Sequence, residues 1–151
     1  FALILFYLGD HLLKWDLKFW HYAIFVGMVV FGFIMTPLYF KYPFFDKVQH
    51  FLFPLITCFF IYHIMDRMDL DRKYKLWFTV TVLITTITLF EVYEYIADYF
   101  WNVKLQGVYS GSWVDQRFKL IMPRIDDTMV DIMLGIVGAI TFVIGKITFK
   151  K

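Results

Sequence analysis

The sequence predicts an all-α membrane protein, a polytopic bundle of transmembrane helices. Three observations predict it. Apolar residues make up 60% of the 151 residues, aromatic residues 23% and charged residues only 19%. The mean hydropathy is +0.63. Windows 19–40, 51–65, 76–90 and 132–145 contain no Asp, Glu, Lys or Arg. A soluble helix spreads charge along its wet face every few residues; here the charge is segregated to segment ends, as a bilayer demands.

Four complete spans follow, at about 19–40, 46–65, 76–101 and 126–147, with a candidate truncated span before them at residues 1–9 (FALILFYLG). The first is long enough to cross about 30 Å of hydrocarbon, and Pro37 bends or ends it. The other three cross only by accepting acidic residues near one end. Residues 1–9 lack the basic region that opens a signal peptide. The connection 66–75 (DRMDLDRKYK) is short and charged. The connection 102–123 is long and mixed, and its Val, Tyr, Trp and Phe residues suggest that it folds onto the membrane surface. Residues 1–151 therefore read as one integral membrane domain, without repeats or low-complexity tracts.

Nine Lys and Arg residues fall on one side of this topology (Lys14, Lys18, Arg67, Arg72, Lys73, Lys75, Lys146, Lys150 and Lys151) and six on the other (Lys41, Lys47, Lys104, Arg117, Lys119 and Arg124). The positive-inside rule makes the first side cytoplasmic, together with the C-terminus, in a plasma (inner) membrane. A net charge of +2 is too small to suggest a nucleic-acid partner. The single cysteine, Cys58, excludes an intramolecular disulfide.

Three acidic motifs sit in the spans. Asp46 and His50 open the second at i, i+4, within about 40° on one helix face. Glu91, Glu94 and Asp98 share a face near the end of the third, and Asp127 and Asp131 open the fourth at i, i+4. Threading the topology brings all three motifs to the same membrane side, the outer one. A carboxylate in hydrocarbon costs about 2.5–3.5 kcal/mol on insertion scales. The acids must therefore be neutralised by protons, by a metal ion, by water in a cavity, or by cations such as Arg124 and Lys47. Asp46, His50, Glu91, Glu94, Asp127 and Asp131 are the candidate site residues, with Asp98, Asp126 and Arg124 secondary. Simple capping is the competing reading, strongest for Asp126 and Asp98 and open for Asp46. His63 reads as snorkelling, His11 and His21 as interfacial, Cys58 as inert packing, and Gly135, Gly138 and Ala139 as points of close helix approach.

The runs PFFDKVQHFLFP, FEVYEYIADYF and DDTMVDIMLGIVGA, in this order, resemble the signatures of the YjdF-like and VanZ-like membrane proteins. The resemblance covers roughly residues 40–140. It implies a compact helix bundle with Asp46, His50, Glu91, Glu94, Asp127 and Asp131 as the positions to watch. Its VanZ-like branch implies a link to glycopeptide resistance and the cell envelope. The chain departs from that pattern at Leu134 and Gly135, where an Asn is common, and in the loop 102–123.

Three functions compete. The first is a membrane-embedded site holding one divalent metal ion, or acting on an envelope or lipid-linked substrate. His50 and the carboxylates offer the mixed N/O ligands that suit zinc, manganese or iron. The second is a proton or cation carrier. The third is a structural or accessory subunit, with a homo-oligomer or other membrane subunits as partners besides the lipid bilayer.

Overall fold

The computed structural model describes residues 2–112 and 117–149. Lys150 and Lys151, used in the charge count, lie outside the described residues. So does Trp113 of the long connection. The elements run α1 (Ala2–Leu13), α2 (Phe19–Ile34), α3 (Thr36–Lys41), α4 (Phe45–Asp66), α5 (Arg72–Trp101), β1 (Val108–Ser112), β2 (Arg117–Met122) and α6 (Arg124–Thr148). They form two compact units, one ending at Met35 and the other beginning at Thr36.

In the first unit, the Asp10 carboxylate organises the turn between α1 and α2. It accepts the Leu17 N–H at 3.0 Å and the Tyr22 hydroxyl. The His21 ring is buried, and its Nδ1 accepts the Lys18 N–H at 2.8 Å. His21 is therefore part of the packing around this turn and not a group at the water interface. Phe6 stacks on Phe25 at 4.1 Å between ring centroids. A side chain at Gly9 would meet the Trp15 ring at 2.6 Å, so glycine admits the indole there.

The span expected over 19–40 is divided. α2 is a helix of 16 residues, about 24 Å at the usual rise, and the chain begins a second, six-residue helix at Thr36. The physical reason is Pro37. It has no N–H to donate, and its ring collides with the carbonyl four residues earlier in a continuous helix. In the first turn of α3 neither penalty arises. Three helices among the described residues are long and apolar enough to cross a membrane: α4, α5 and α6. At 22, 30 and 25 residues they measure about 33, 45 and 37 Å.

These three helices make up most of the second unit. Each turns one stripe of residues inward. In α5 the stripe is Thr79, Leu83, Ile87, Glu91, Glu94 and Asp98; in α6 it is Asp127, Asp131, Gly135, Gly138 and Phe142. The spacing of three and four residues is the helical repeat. Cys58 and Ile61 of α4 meet Leu83 and Ile87 of α5 and Ala139 and Phe142 of α6 in the apolar core. The outward faces carry large apolar side chains such as Trp77, Leu89 and Ile144, which suits contact with lipid acyl chains. Small residues set the helix spacing. A Cβ at Gly138 would lie 2.7 Å from the Phe51 carbonyl oxygen of α4, and one at Gly135 would lie 2.4 Å from the Ile87 side chain of α5. Thr85, Thr86 and Thr88 hydrogen-bond to carbonyls of their own helix.

The long connection holds the one correction to the all-α expectation. β1 and β2 pair antiparallel, with Tyr109 opposite Leu120 and Gly111 opposite Phe118. The strands are five and six residues long, and the Ser110-Gly111-Ser112 run of β1 reads as loop. The hairpin does not trail as a linker. It packs against α3, where the Phe40 and Phe118 rings lie 5.2 Å apart.

Candidate polar site between three spanning helices

α4 enters the bundle at the end where α5 leaves it and α6 begins. The polar ends of the three inward stripes therefore meet, and the geometry has a centre: Lys47. Its ammonium lies 2.9 Å from Asp46 Oδ2 and 2.7 Å from both Asp131 carboxylate oxygens. It also donates to Asp127 Oδ1. Four oxygens from two helices thus surround one nitrogen. Asp127 and Asp131 are both almost fully buried, so these bonds act at low dielectric, where an ion pair is strong and an unpaired charge is expensive.

His50 stands one helical turn beyond Asp46. Its Nε2 is 3.4 Å from Asp46 Oδ1, and its Nδ1 faces Glu91 Oε1 at 3.7 Å and Asp131 Oδ1 at 3.9 Å. Glu91 is 4% exposed, and neither of its carboxylate oxygens has a hydrogen-bond partner among the described residues. Glu94, also buried, completes a set in which His50, Glu91 and Glu94 each bring a ligand atom within 4.8 Å of the others; Asp46, His50 and Asp131 form a second such set.

All six principal candidates from the sequence are thus brought together. The secondary ones separate. Asp98 is buried rather than at the water interface, and its two oxygens accept the Leu105 and Gln106 N–H groups at 2.7 and 3.1 Å. It pins the chain after α5 and stays outside the two ligand sets. Arg124 reaches no closer than 3.9 Å to Asp98, and its side chain is 48% exposed. Asp126 is exposed in the first turn of α6 and has no part in the cluster. The capping reading of Asp46 is corrected as well. Phe44 is the N-cap of α4, and the Asp46 carboxylate goes to Lys47 and His50.

Sequence reasoning counted Lys47 as one available cation and missed that it is the hub. It also missed the supporting polar layer. Gln49 is buried and accepts the Tyr39 hydroxyl. Gln106 is buried and donates to Thr128 Oγ1 at 3.0 Å, and Gly107 donates its N–H to Asp127 Oδ2 at 2.7 Å. Gly107 has φ +88°, a left-handed conformation that glycine adopts without strain. That turn aims the N–H at Asp127, so the loop before the hairpin holds a carboxylate of the cluster. Beside the cluster a cleft opens between α3 and β1, lined by Tyr39, Phe40, Asp46, Lys104 and Tyr109 among others.

A family described as "Predicted membrane protein (DUF2238)" matches residues 3–151. The chain belongs to this family. With its three long apolar helices, membership makes it a small integral membrane protein of the lipid bilayer. No curated protein and no solved structure matches the chain. The family match extends through both compact units and takes in every residue of the polar cluster.

Proposed function

We propose that the polar end of the bundle binds a divalent metal ion through His50, Glu91 and Glu94. One observation carries the reading: Glu91 is buried in the last third of the membrane helix α5, beside an imidazole nitrogen, with neither oxygen hydrogen-bonded among the described residues. A buried carboxylate that accepts no hydrogen bond is expensive, and a cation between it and its neighbours lowers that penalty. One imidazole and two carboxylates suit zinc, manganese or iron. The three groups come from two helices, so a bound ion would also tie α4 to α5.

A metal ion held by His50, Glu91 and Glu94 would supply Lewis-acid and water-activating chemistry toward an envelope or lipid-linked substrate. The three-motif resemblance to YjdF-like and VanZ-like proteins points the same way. The Lys and Arg asymmetry supports a plasma-membrane orientation with the site outward and the C-terminus cytoplasmic. The direct test is metal content per chain after purification in mild detergent without a histidine tag. One equivalent in the parent, lost in both His50→Ala and Glu91→Gln, is the expected result. A folded, metal-free parent that takes up no zinc or manganese on titration removes the reading.

The second reading is structural. The Lys47 bonds to Asp46, Asp127 and Asp131 join α4 to α6 and can serve as a staple in an accessory subunit of a larger complex. Copurification of a stoichiometric membrane partner, with no bound metal, favours it.

A further inference from the structure

At the end of the bundle that holds the polar cluster, the charges sort by depth. Among the described residues seven acids stand at this end. Asp46, Glu91, Glu94, Asp127 and Asp131 lie in the cluster and Asp98 lies buried under the turn after α5, which leaves Asp126 alone exposed. The bases sort the other way. Lys47 is drawn into the cluster, whereas Lys41, Arg117, Lys119 and Arg124 are exposed and Lys104 is half-buried. Lys41, Lys104, Arg117 and Lys119 have no carboxylate within ion-pair distance among the described residues. A stretch rich in acids by its sequence thus presents a positive surface. We propose that this face, formed by α3, the hairpin and the turn before it, binds the anionic headgroups of membrane phospholipids, with Lys104 as its central contact. This holds whether or not a metal ion occupies the cluster.

Depth in the bilayer favours lipid over a soluble anion. The last turns of α5 expose Tyr95, Tyr99, Phe100 and Trp101, the aromatic side chains that settle at headgroup level. The hairpin follows directly and returns the chain to α6, so it leaves and re-enters at that level. Its second strand exposes Leu120 and Ile121 beside Arg117 and Lys119, apolar and basic groups together, which suits a surface that is both anionic and greasy. Lys104 is held for this role. It has φ +59°, a left-handed conformation that costs energy in a residue with a side chain and persists only where its surroundings impose it. Here the Asp98 carboxylate takes the next two N–H groups, of Leu105 and Gln106, and Asp127 takes that of Gly107. The ammonium then lies over the Tyr109 and Phe118 rings, 5.4 and 5.5 Å from their centroids, in the wall of the cleft between α3 and β1. Aromatic faces orient an ammonium without cancelling its charge, so it remains available to a phosphate. Asp46, also in that wall, is already answered by Lys47 and His50.

The test is competitive lipid retention. The full chain in mild detergent is loaded with equimolar phosphatidylglycerol and phosphatidylcholine of the same acyl chains, and the lipids that stay bound are counted by native mass spectrometry. The parent is expected to retain phosphatidylglycerol in preference, and the preference is expected to fall about fivefold for each basic residue removed, in Lys104→Ala and again in Lys104→Ala/Lys119→Ala. Lys104→Arg should keep it, and Lys73→Ala, in the charged turn at the opposite end, should leave it unchanged. Arg117→Ala/Lys119→Ala, confined to exposed positions, carries the test should Lys104→Ala fold poorly. Equal retention of the two lipids by the parent overturns the proposal, as does a parent-like preference in the folded variants. Inorganic phosphate and hexaglutamate are added as competitors at the concentration of the lipid. Displacement of phosphatidylglycerol by the first would make the face a site for a free anion, and by the second a dock for an acidic protein; either result overturns the proposal.

Discussion

The two ends of the inward stripes solve opposite problems with the same three helices. At one end Cys58, Leu83, Ile87, Ala139 and Phe142 pack apolar surface on apolar surface. Inside a bilayer this gains little from water exclusion, because lipid tails are as apolar as leucine. What remains is dispersion, which needs close approach, and Gly135 and Gly138 provide it. At the other end Lys47 and His50 meet carboxylates from all three helices. Attraction there is directional and strong at low dielectric, and each group left unpaired is a liability. The apolar end depends on shape and the polar end on charge balance.

The comparison breaks most sharply at Lys47. Without added metal, Lys47→Met leaves Asp46, Asp127 and Asp131 without their common cation, and a loss of about 3–5 kcal/mol is expected. Unfolding in mixed detergent micelles measures it. Leu83→Ala tests the apolar end, where Leu83 is 1% exposed; about 2–5 kcal/mol is expected from the cavity. Gly138→Val places a side chain where the α4 backbone already lies, with an expected loss of about 1–3 kcal/mol. Its signature is separation of α4 from α6, read by cysteine cross-linking or by spin-label distances across the pair. The smallest effect belongs to the charged turn. Lys75 meets Asp66 at 3.0 Å, but the Asp66 side chain is 61% exposed, so Asp66→Ala should change stability by less than about 1 kcal/mol in the same assay. If the two ends are independent, the losses from Lys47→Met and Leu83→Ala will add to within about 0.5 kcal/mol. A larger deviation would mean that the polar cluster sets the packing of the apolar half.

The sequence made the helical part of this fold legible because a charge-free window of membrane length leaves few alternatives. α4, α5 and α6 lie within a few residues of their expected limits. Over 19–40 it placed one span that Pro37 bends or ends, and the structure resolves that alternative as a break, with α2 ending at Ile34 and α3 beginning at Thr36. The sequence missed the hairpin, because a five-residue strand carrying Ser-Gly-Ser looks like a loop until its partner strand is in place. The six principal polar residues were legible from two facts together, a shared helix face in each motif and an antiparallel threading that puts the motifs at one end. Asp98 was read foremost as a simple cap, whereas the chain after Asn102 folds back and its Leu105 and Gln106 N–H groups bond the buried carboxylate.

By itself, then, the sequence determined that the chain lives in a bilayer, where its three long helices fall, and which acidic faces they carry. Periodicity and hydropathy are local quantities, and a helix satisfies its own backbone without outside help. The tertiary structure alone decided who neutralises whom. That Lys47 serves Asp127 and Asp131, eighty or more positions away in the chain, that Gly107 braces Asp127, and that Glu91 is left facing His50 all depend on how three helices are rotated against one another. That rotation follows from where Gly135 and Gly138 let the helices touch, a property of pairs of surfaces that no single stretch of sequence contains.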